Sequence, residues 1–581
     1  MFQKYKFSEF LENNSKFIVI SFFIIIFAQA SLISLVKSPS WDEMSFIGYG
    51  RFMIERGSLN FHLSVGEPVL NYYLNSLFLI LLKVDDAIWL KGDYYVPIST
   101  EFIFHSGYEP KLILFLARLP NIILSILLAY FLFRCSKELY GIKAGFFALF
   151  LYSFSPMMLA NIRVAQTELP MACFGFISLY YFWKFYNNPQ LKYLILSSLT
   201  VSLAMLFKIP AIVFVIVYTA FILLNKKPAF RNKITSLVIL FSIMFLTIWA
   251  AYGFQFQTIK STLPEHYTGV VYQKLEKIEN GRLKGLATYI FEEVPVPFPS
   301  FMAYLGNVFR NADRGVTGYF FGQVFEPKEK PLYYFITAFL IKTPIPTLFF
   351  LLLTLIFLSQ IRSKKSTELL IVLPLMLLFL LLSINKQSYA LRHMLVIYPL
   401  LFLFISKSAN IKVKKQKIFN LFLILLSAWY LFSSVYVFPN HVSYFNEFVG
   451  GSKNGYKYLL SDNVDRGEDL SALKKYLTKN NIGRINLSYH GNLDPIEYGI
   501  SYDYMPSACF QDWVPGSLEF AQNCKLNFTE DCSVRKGIVA ISVTNLQNRF
   551  LKNRSCFNWL KGHKPIRIIG NSIHVYNITV Q

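Results

Sequence analysis

Phe17–Glu43 reads FIVISFFIIIFAQASLISLVKSPSWDE. Phe17–Val36 is one mostly apolar run, and about 20 such residues suffice for a helix to cross the hydrocarbon core of a bilayer. Ala28-Gln29-Ala30 has the form of a signal-peptide cleavage site, but the apolar run continues past it, which predicts a retained anchor. Directly beyond it come Lys37 and the acidic pair Asp42-Glu43. Polar chemistry therefore starts where the first span ends.

Ten further apolar runs follow, roughly 111–133, 144–160, 169–186, 191–207, 209–224, 234–254, 332–360, 368–384, 390–406 and 418–438. Phe207-Lys208-Ile209-Pro210 separates the fifth and sixth runs, and proline there predicts a tight turn. The expected fold class is an all-α polytopic membrane domain of about eleven transmembrane helices with a small extracytoplasmic α/β domain. Composition agrees: 54% of the 581 residues are hydrophobic and 16% charged, and mean hydropathy is +0.41. The 58 Phe and 36 Tyr suit a lipid-facing chain with aromatic belts. The net charge of +23 does not point to nucleic acid, because the basic residues form short clusters between apolar runs.

Those clusters set the topology. With the N-terminus cytoplasmic, segments 1–16, 134–143, 184–192, 225–233, 361–366 and 407–417 face inward and hold 20 Lys and Arg. The short outer loops hold only Arg163, Lys208, Lys386 and Arg392, as the positive-inside rule requires. An odd number of spans puts the C-terminus outside. The expected division is a membrane domain over 1–439, with outer segments 37–110 and 255–331, and an outer domain over 440–581. Segment 37–110 is rich in acids and contains two stretches, Met44–Glu55 and Val69–Leu82, that read as interfacial helices.

In the tail, Asp465–Lys479 carries Leu470, Leu473 and Leu477 at helical spacing. Arg484–Tyr489 and Gly537–Thr544 read as strands, and Ile566–Ile578 as a hairpin turning at Gly570-Asn571. Cys509, Cys524, Cys532 and Cys556 would form two disulfides in an oxidising compartment, with three pairings open. A zinc site competes, although no CxxC pair is present.

Several ionisable residues sit at the outer bilayer edge. Asp42 and Glu43 could supply a general base or help to hold a divalent cation, or simply favour a helix N-terminus. Glu168 opens the fourth run and Arg163 precedes it, while Lys208, Lys342, Arg392 and His393 lie within or at the ends of runs. Ionisable groups at membrane depth are commonly functional, although lysines and arginines can also snorkel. A base beside clustered cations would suit transfer from a phosphate-linked lipid. It would equally suit a membrane lipid or solute transporter without transferase activity, against which stands the absence of an internal repeat.

The order of motifs along the chain resembles the GT-C glycosyltransferases that use polyprenyl-phosphate sugars. These include protein O-mannosyltransferases and the aminoarabinose transferase of lipid A, and the chain looks closest to the bacterial phospholipid carrier-dependent group. The pieces are Trp41-Asp42-Glu43, Glu67-Pro68, Ala117-Arg118-Leu119-Pro120, Pro156 through Arg163 to Glu168, Lys342-Thr343-Pro344 and Ala390-Leu391-Arg392-His393. Most specific are Ser443-Tyr444-Phe445-Asn446-Glu447, Val449-Gly450-Gly451 and Asn463-Val464-Asp465. Three departures stand out: Glu168 where the family usually has Asp, Glu67 in place of a histidine, and Arg466 in place of a tryptophan.

The resemblance implies a hexosyl- or pentosyltransferase in a bacterial inner membrane, with a lipid, glycan or protein acceptor. It implies an inverting displacement in which Asp42 takes the acceptor proton and Arg163, Lys208 and Arg392 hold the donor phosphate. Glu43 and Glu168 would orient the acceptor or a divalent metal ion, and Glu67 with His266 would form a metal pair. A ligase using a diphosphate-linked donor is the other enzyme of this class that the sequence admits.

Overall fold

The computed structural model describes residues 9–57, 67–90, 95–225, 232–263, 265–327, 329–386, 390–507 and 531–579. Each of the eleven apolar runs is helical over much of its length. Among the described residues, five helices are long and apolar enough to cross a membrane: Ser15–Val36 (α1), Pro110–Tyr140 (α2), Lys233–Ala251, Lys365–Ile384 and Gln416–Val437. The chain is a multi-pass membrane protein. Further helices complete the bundle, among them Ile142–Ser153, Glu168–Asn187 (α3) and Leu191–Phe207 (α4). α3 is buried along most of its length, wedged against α2 and α4.

The run 332–360, expected as one span, is two helices. Tyr334–Lys342 (α5) and Ile345–Ile356 (α6) meet at 109°. Pro344 cannot continue the first helix, and a break at this depth leaves carbonyls that must find donors. The tail supplies them. The Asn446 amide donates to the carbonyls of Leu340 (2.6 Å) and Thr343 (2.9 Å), and its backbone N–H donates to Ile341 (2.9 Å). Lys342, at the break, donates in turn to the carbonyls of Val442 and Asn463. The Ser443–Glu447 motif thus caps a broken helix.

The run 390–406 also differs from expectation. Its helix is confined to Ile397–Ser406, preceded by a 3₁₀ turn over Leu391–Met394 that turns Arg392 and His393 inward. The turn at Lys208 forms as expected, between α4 and a 3₁₀ turn over Ile209–Ala211. The interfacial stretches are broken into Glu43–Phe46, Gly48–Arg56 and Val69–Ser76.

The tail builds a five-stranded sheet from Arg484–Ser488 (β1), Ser501–Tyr504 (β2), Gly537–Ser542 (β3), Arg567–Ile569 (β4) and Ile573–Ile578 (β5), in the order β2-β1-β3-β5-β4. β1 pairs in parallel with both neighbours, whereas β3–β5 and β5–β4 are antiparallel. The β4–β5 hairpin turns at Gly570 and Asn571, both at φ 61°, a left-handed conformation that glycine and asparagine tolerate. The tail helix is shorter than its periodicity suggests. It covers Leu470–Lys479 and buries Leu470, Leu473 and Leu477, while 465–469 is loop. Cys532 and Cys556 form a disulfide; Cys509 and Cys524 lie outside the described residues.

Candidate active site

α1 ends at Val36, and the next seven residues are held from two sides. On one side, backbone N–H groups of Ser38 and Trp41 donate to the carbonyls of Glu468 (3.0 Å) and Arg466 (2.9 Å) in the tail. Trp41 also stacks on His490, with ring centroids 5.3 Å apart. On the other side, Arg118 of α2 is fully buried and forks onto Glu43, at 2.7 and 2.8 Å. Its remaining N–H groups donate to the carbonyls of Ser34, Lys37 and Ser38, which the end of α1 leaves without helical donors. Glu43 also accepts from the backbone N–H of Ala165 at 3.1 Å. Burial disfavours its charge, yet Arg118 holds its carboxyl below the usual range. Glu43 therefore acts as a rivet joining three segments, not as the acceptor-orienting group expected from the sequence.

Asp42, one residue earlier, remains a third exposed at its side chain and pairs with Nη1 of Arg392. Arg392 bridges two further acids, with Nη2 2.9 Å from Asp462 and Nε 3.8 Å from Glu168. Glu168 opens α3, and its Oε1 lies 2.7 Å from Nζ of Lys208 and 3.2 Å from Nδ1 of His393. Lys208 sits at the end of α4, 3.0 Å from the same His393 nitrogen. Asp42, Glu168, Lys208 and Arg392 thus form one continuous cluster.

Glu67, half-buried, faces this cluster. Burial pushes its carboxyl up to about 7; Glu168 and Asp42 push the same way, against Lys208 and Arg392. Glu67 should gain its charge as pH rises through about 7, so a reaction that needs the carboxylate should speed up over that interval. A pH–rate profile of Glu67→Gln lacking that rising limb is the expected result.

Arg163 does not join the cluster. It is buried and paired with Glu468 at 2.5 Å. Glu468 also lies 3.4 Å from Lys37, whose ammonium contacts Asp469 at 2.5 Å and Asn440 at 2.8 Å. Burial works against the charge of Glu468, but Arg163, Lys37 and Arg466 draw its carboxyl down to about 2. Expected as a phosphate ligand, Arg163 instead helps to clamp the tail onto the membrane helices. Arg466 donates to Asn161 at 2.9 Å. The cavity that it lines with Lys342 and Arg392 is only about 10 Å³, room for about one water.

The side chain of His266 lies outside the described part of the structure, so its pairing with Glu67 has no geometry here. Among the described residues, no group of three or more His, Cys, Asp or Glu could hold a metal ion. Sequence reading missed Asp462 and Glu468. Their signal was present as four acids between Asp462 and Asp469, a density that solvated surface also shows.

Two cations, Lys208 and Arg392, thus lie among four acids, Asp42, Glu67, Glu168 and Asp462, in a partly exposed cluster. A family of known chemistry matches the part of the chain that carries Glu168 and Lys208. Residues 114–252 match the family model described as dolichyl-phosphate-mannose-protein mannosyltransferase. The matched stretch includes Arg118, Arg163, Glu168 and Lys208, with α2 through Lys233–Ala251. Across almost the whole chain the fold is also similar to that of the ArnT protein of Cupriavidus metallidurans bound to undecaprenyl phosphate. Identity is 11%, 96% of this chain and 97% of that one are covered, and the TM-score is 0.46. A second likeness is to the archaeal oligosaccharyltransferase AglB of Archaeoglobus fulgidus in complex with an inhibitory peptide and a dolichol-phosphate. Here identity is 12%, coverage 97% and 75%, and the TM-score 0.45. No curated protein matches at a significant level.

Proposed function

We propose that this protein is a GT-C glycosyltransferase that moves a sugar from a polyprenyl-phosphate donor to an acceptor hydroxyl on the extracytoplasmic side of the membrane. The observation that carries this reading is the cluster of Asp42, Glu168, Lys208 and Arg392, with the family match over 114–252. In this mechanism Asp42 accepts the acceptor proton while the acceptor oxygen attacks the anomeric carbon from the face opposite the phosphate. The bond between the anomeric carbon and the phosphate oxygen breaks, its electron pair leaves with the polyprenyl phosphate, and configuration inverts. Lys208 and Arg392 stabilise the charge developing on that oxygen. Before the donor arrives, Glu168 holds both cations in place, through its contacts at 2.7 and 3.8 Å.

The charge balance adds a condition. Both cations are already paired with carboxylates, so a donor phosphate has to draw them away from Glu168 and Asp42. Donor arrival would thereby free Asp42 to act as base.

Lys208→Ala is expected to slow transfer by roughly 10²–10³, the usual cost of one lost transition-state donor, measured as kcat on purified protein. A decrease below threefold would remove Lys208 from the phosphate site. The reading as a whole is tested by supplying polyprenyl monophosphate sugars and diphosphate-linked sugars in parallel to proteoliposomes. Transfer from the monophosphate donor alone is expected. Transfer only from the diphosphate would make the protein a ligase, and lipid movement without any transfer would make it a transporter.

A further inference from the structure

A second pocket, of about 420 Å³, opens on the tail domain. That size falls within the range of about 300–1,000 Å³ typical of small-ligand sites. Three rings line it. Tyr456 meets His574 edge-on with centroids 5.0 Å apart, and His574 lies 6.3 Å from Tyr576. Lys453, Lys561 and His563 are exposed at its edge, the side-chain amides of Gln547 and of Asn454, the latter already bonded to Gly450 and Lys457, lie beside them, and among the described residues no lining residue is Asp or Glu. His574 is 2% exposed. Its Nδ1 lies 3.3 Å from the Tyr576 hydroxyl, and its Nε2 has no hydrogen-bond partner among the described residues. A buried ring nitrogen without a partner carries an uncompensated desolvation cost, and such groups call for an explanation. Burial pushes the imidazole down to about 4, so at neutral pH it offers a hydrogen bond and no charge.

Flat rings, amides and ammonium groups without opposing carboxylates form a specific combination. The rings suit the apolar face of a pyranose, the amides its hydroxyls, and the lysines an acidic substituent. We propose that this pocket binds a saccharide carrying an anionic group, a carboxylate or a phosphate, and docks the acceptor glycan. The docking role rests on the transferase reading above; the binding itself does not. The pocket is linked to the candidate active site through a hydrogen bond. Ser572, two residues before His574, donates to Asp469 at 2.5 Å, in the loop that also carries Asp462, the partner of Arg392.

Calorimetric titration of the full-length protein in detergent tests this, with trigalacturonate, maltotriose and inorganic phosphate as probes. Saturable binding of trigalacturonate is expected, with maltotriose at least tenfold weaker. The Lys453→Ala/Lys561→Ala variant, which changes two exposed side chains, should lose at least tenfold, and Tyr456→Ala should weaken trigalacturonate while leaving phosphate unaffected. Equal affinity for maltotriose, or unchanged binding in the double lysine variant, would overturn the assignment. Phosphate binding as tightly as trigalacturonate, with Tyr456→Ala without effect on either, would reduce the pocket to an anion site and equally overturn it. Retention of the protein only by phosphatidylglycerol vesicles, with no saccharide bound, would replace the glycan by a lipid surface. Asp42→Asn should bind trigalacturonate normally. Binding without transfer from any donor would thus reject the transferase reading alone, and transfer without binding would reject the pocket alone.

Discussion

Asp42→Asn is expected to lower transfer by about 10²–10⁴-fold, the range that a positioned general base contributes, while the protein still inserts and folds. The amide cannot accept a proton, but it nearly matches the carboxylate in shape. Asp42 is a third exposed and, among the described residues, its ion pair is with Arg392, so little packing depends on its charge. Arg392 keeps Asp462 at 2.9 Å as a partner when the Asp42 charge is removed. The decisive comparison is transfer rate against donor binding in the same preparation. Loss of rate with donor affinity kept or raised assigns the base role. Full activity of the variant would mean that the acceptor proton goes elsewhere, with Glu67, held at about 7, the next group to test.

Arg118→Met is expected to destabilise the fold by about 3–5 kcal/mol, the usual consequence of removing one partner from a buried ion pair. Arg118 and Glu43 are both 0% exposed, so the remaining carboxylate would have no access to water. Three carbonyls at the end of α1 would lose their donors as well. The measurement is the rate of irreversible thermal inactivation in detergent, since membrane proteins of this size rarely unfold reversibly. Adding Glu43→Leu should recover part of the loss, because it removes the stranded charge, but not all of it, because the carbonyls stay unsatisfied. A single variant as stable as the wild type would show that water reaches Glu43 and that the rivet described above does not exist.

The two positions explain why the candidate site was only partly legible. Asp42 and Glu43 are adjacent acids after a span, and sequence offers no means of separating them. At the start of the short helix Glu43–Phe46 the two side chains diverge, Asp42 toward Arg392 and Glu43 toward Arg118, and only the positions of those arginines reveal which is which. Arg163 and Lys208 posed the same difficulty. Both are cations at the ends of apolar segments, yet the partner of Arg163, Glu468, lies 305 residues away, beyond any local pattern. Lys342 read as a residue within a span and turned out to mark a helix break, because the donors that make the break tolerable come from Asn446, 103 residues beyond Thr343.

What the sequence settled by itself was the class of protein: apolar runs of spanning length, the turn at Lys208 and four of the five strands of the tail, Ser501–Tyr504 being the one it missed. These follow from local hydrophobicity, periodicity and proline, which act over a few residues at a time. Tertiary structure decided which charges join the partly exposed cluster, which are locked in buried pairs, and that Asp462 of the tail completes the cluster around Arg392. Charges inside a membrane protein are tolerated only beside partners of opposite sign, and the folded chain chooses those partners from segments hundreds of residues apart.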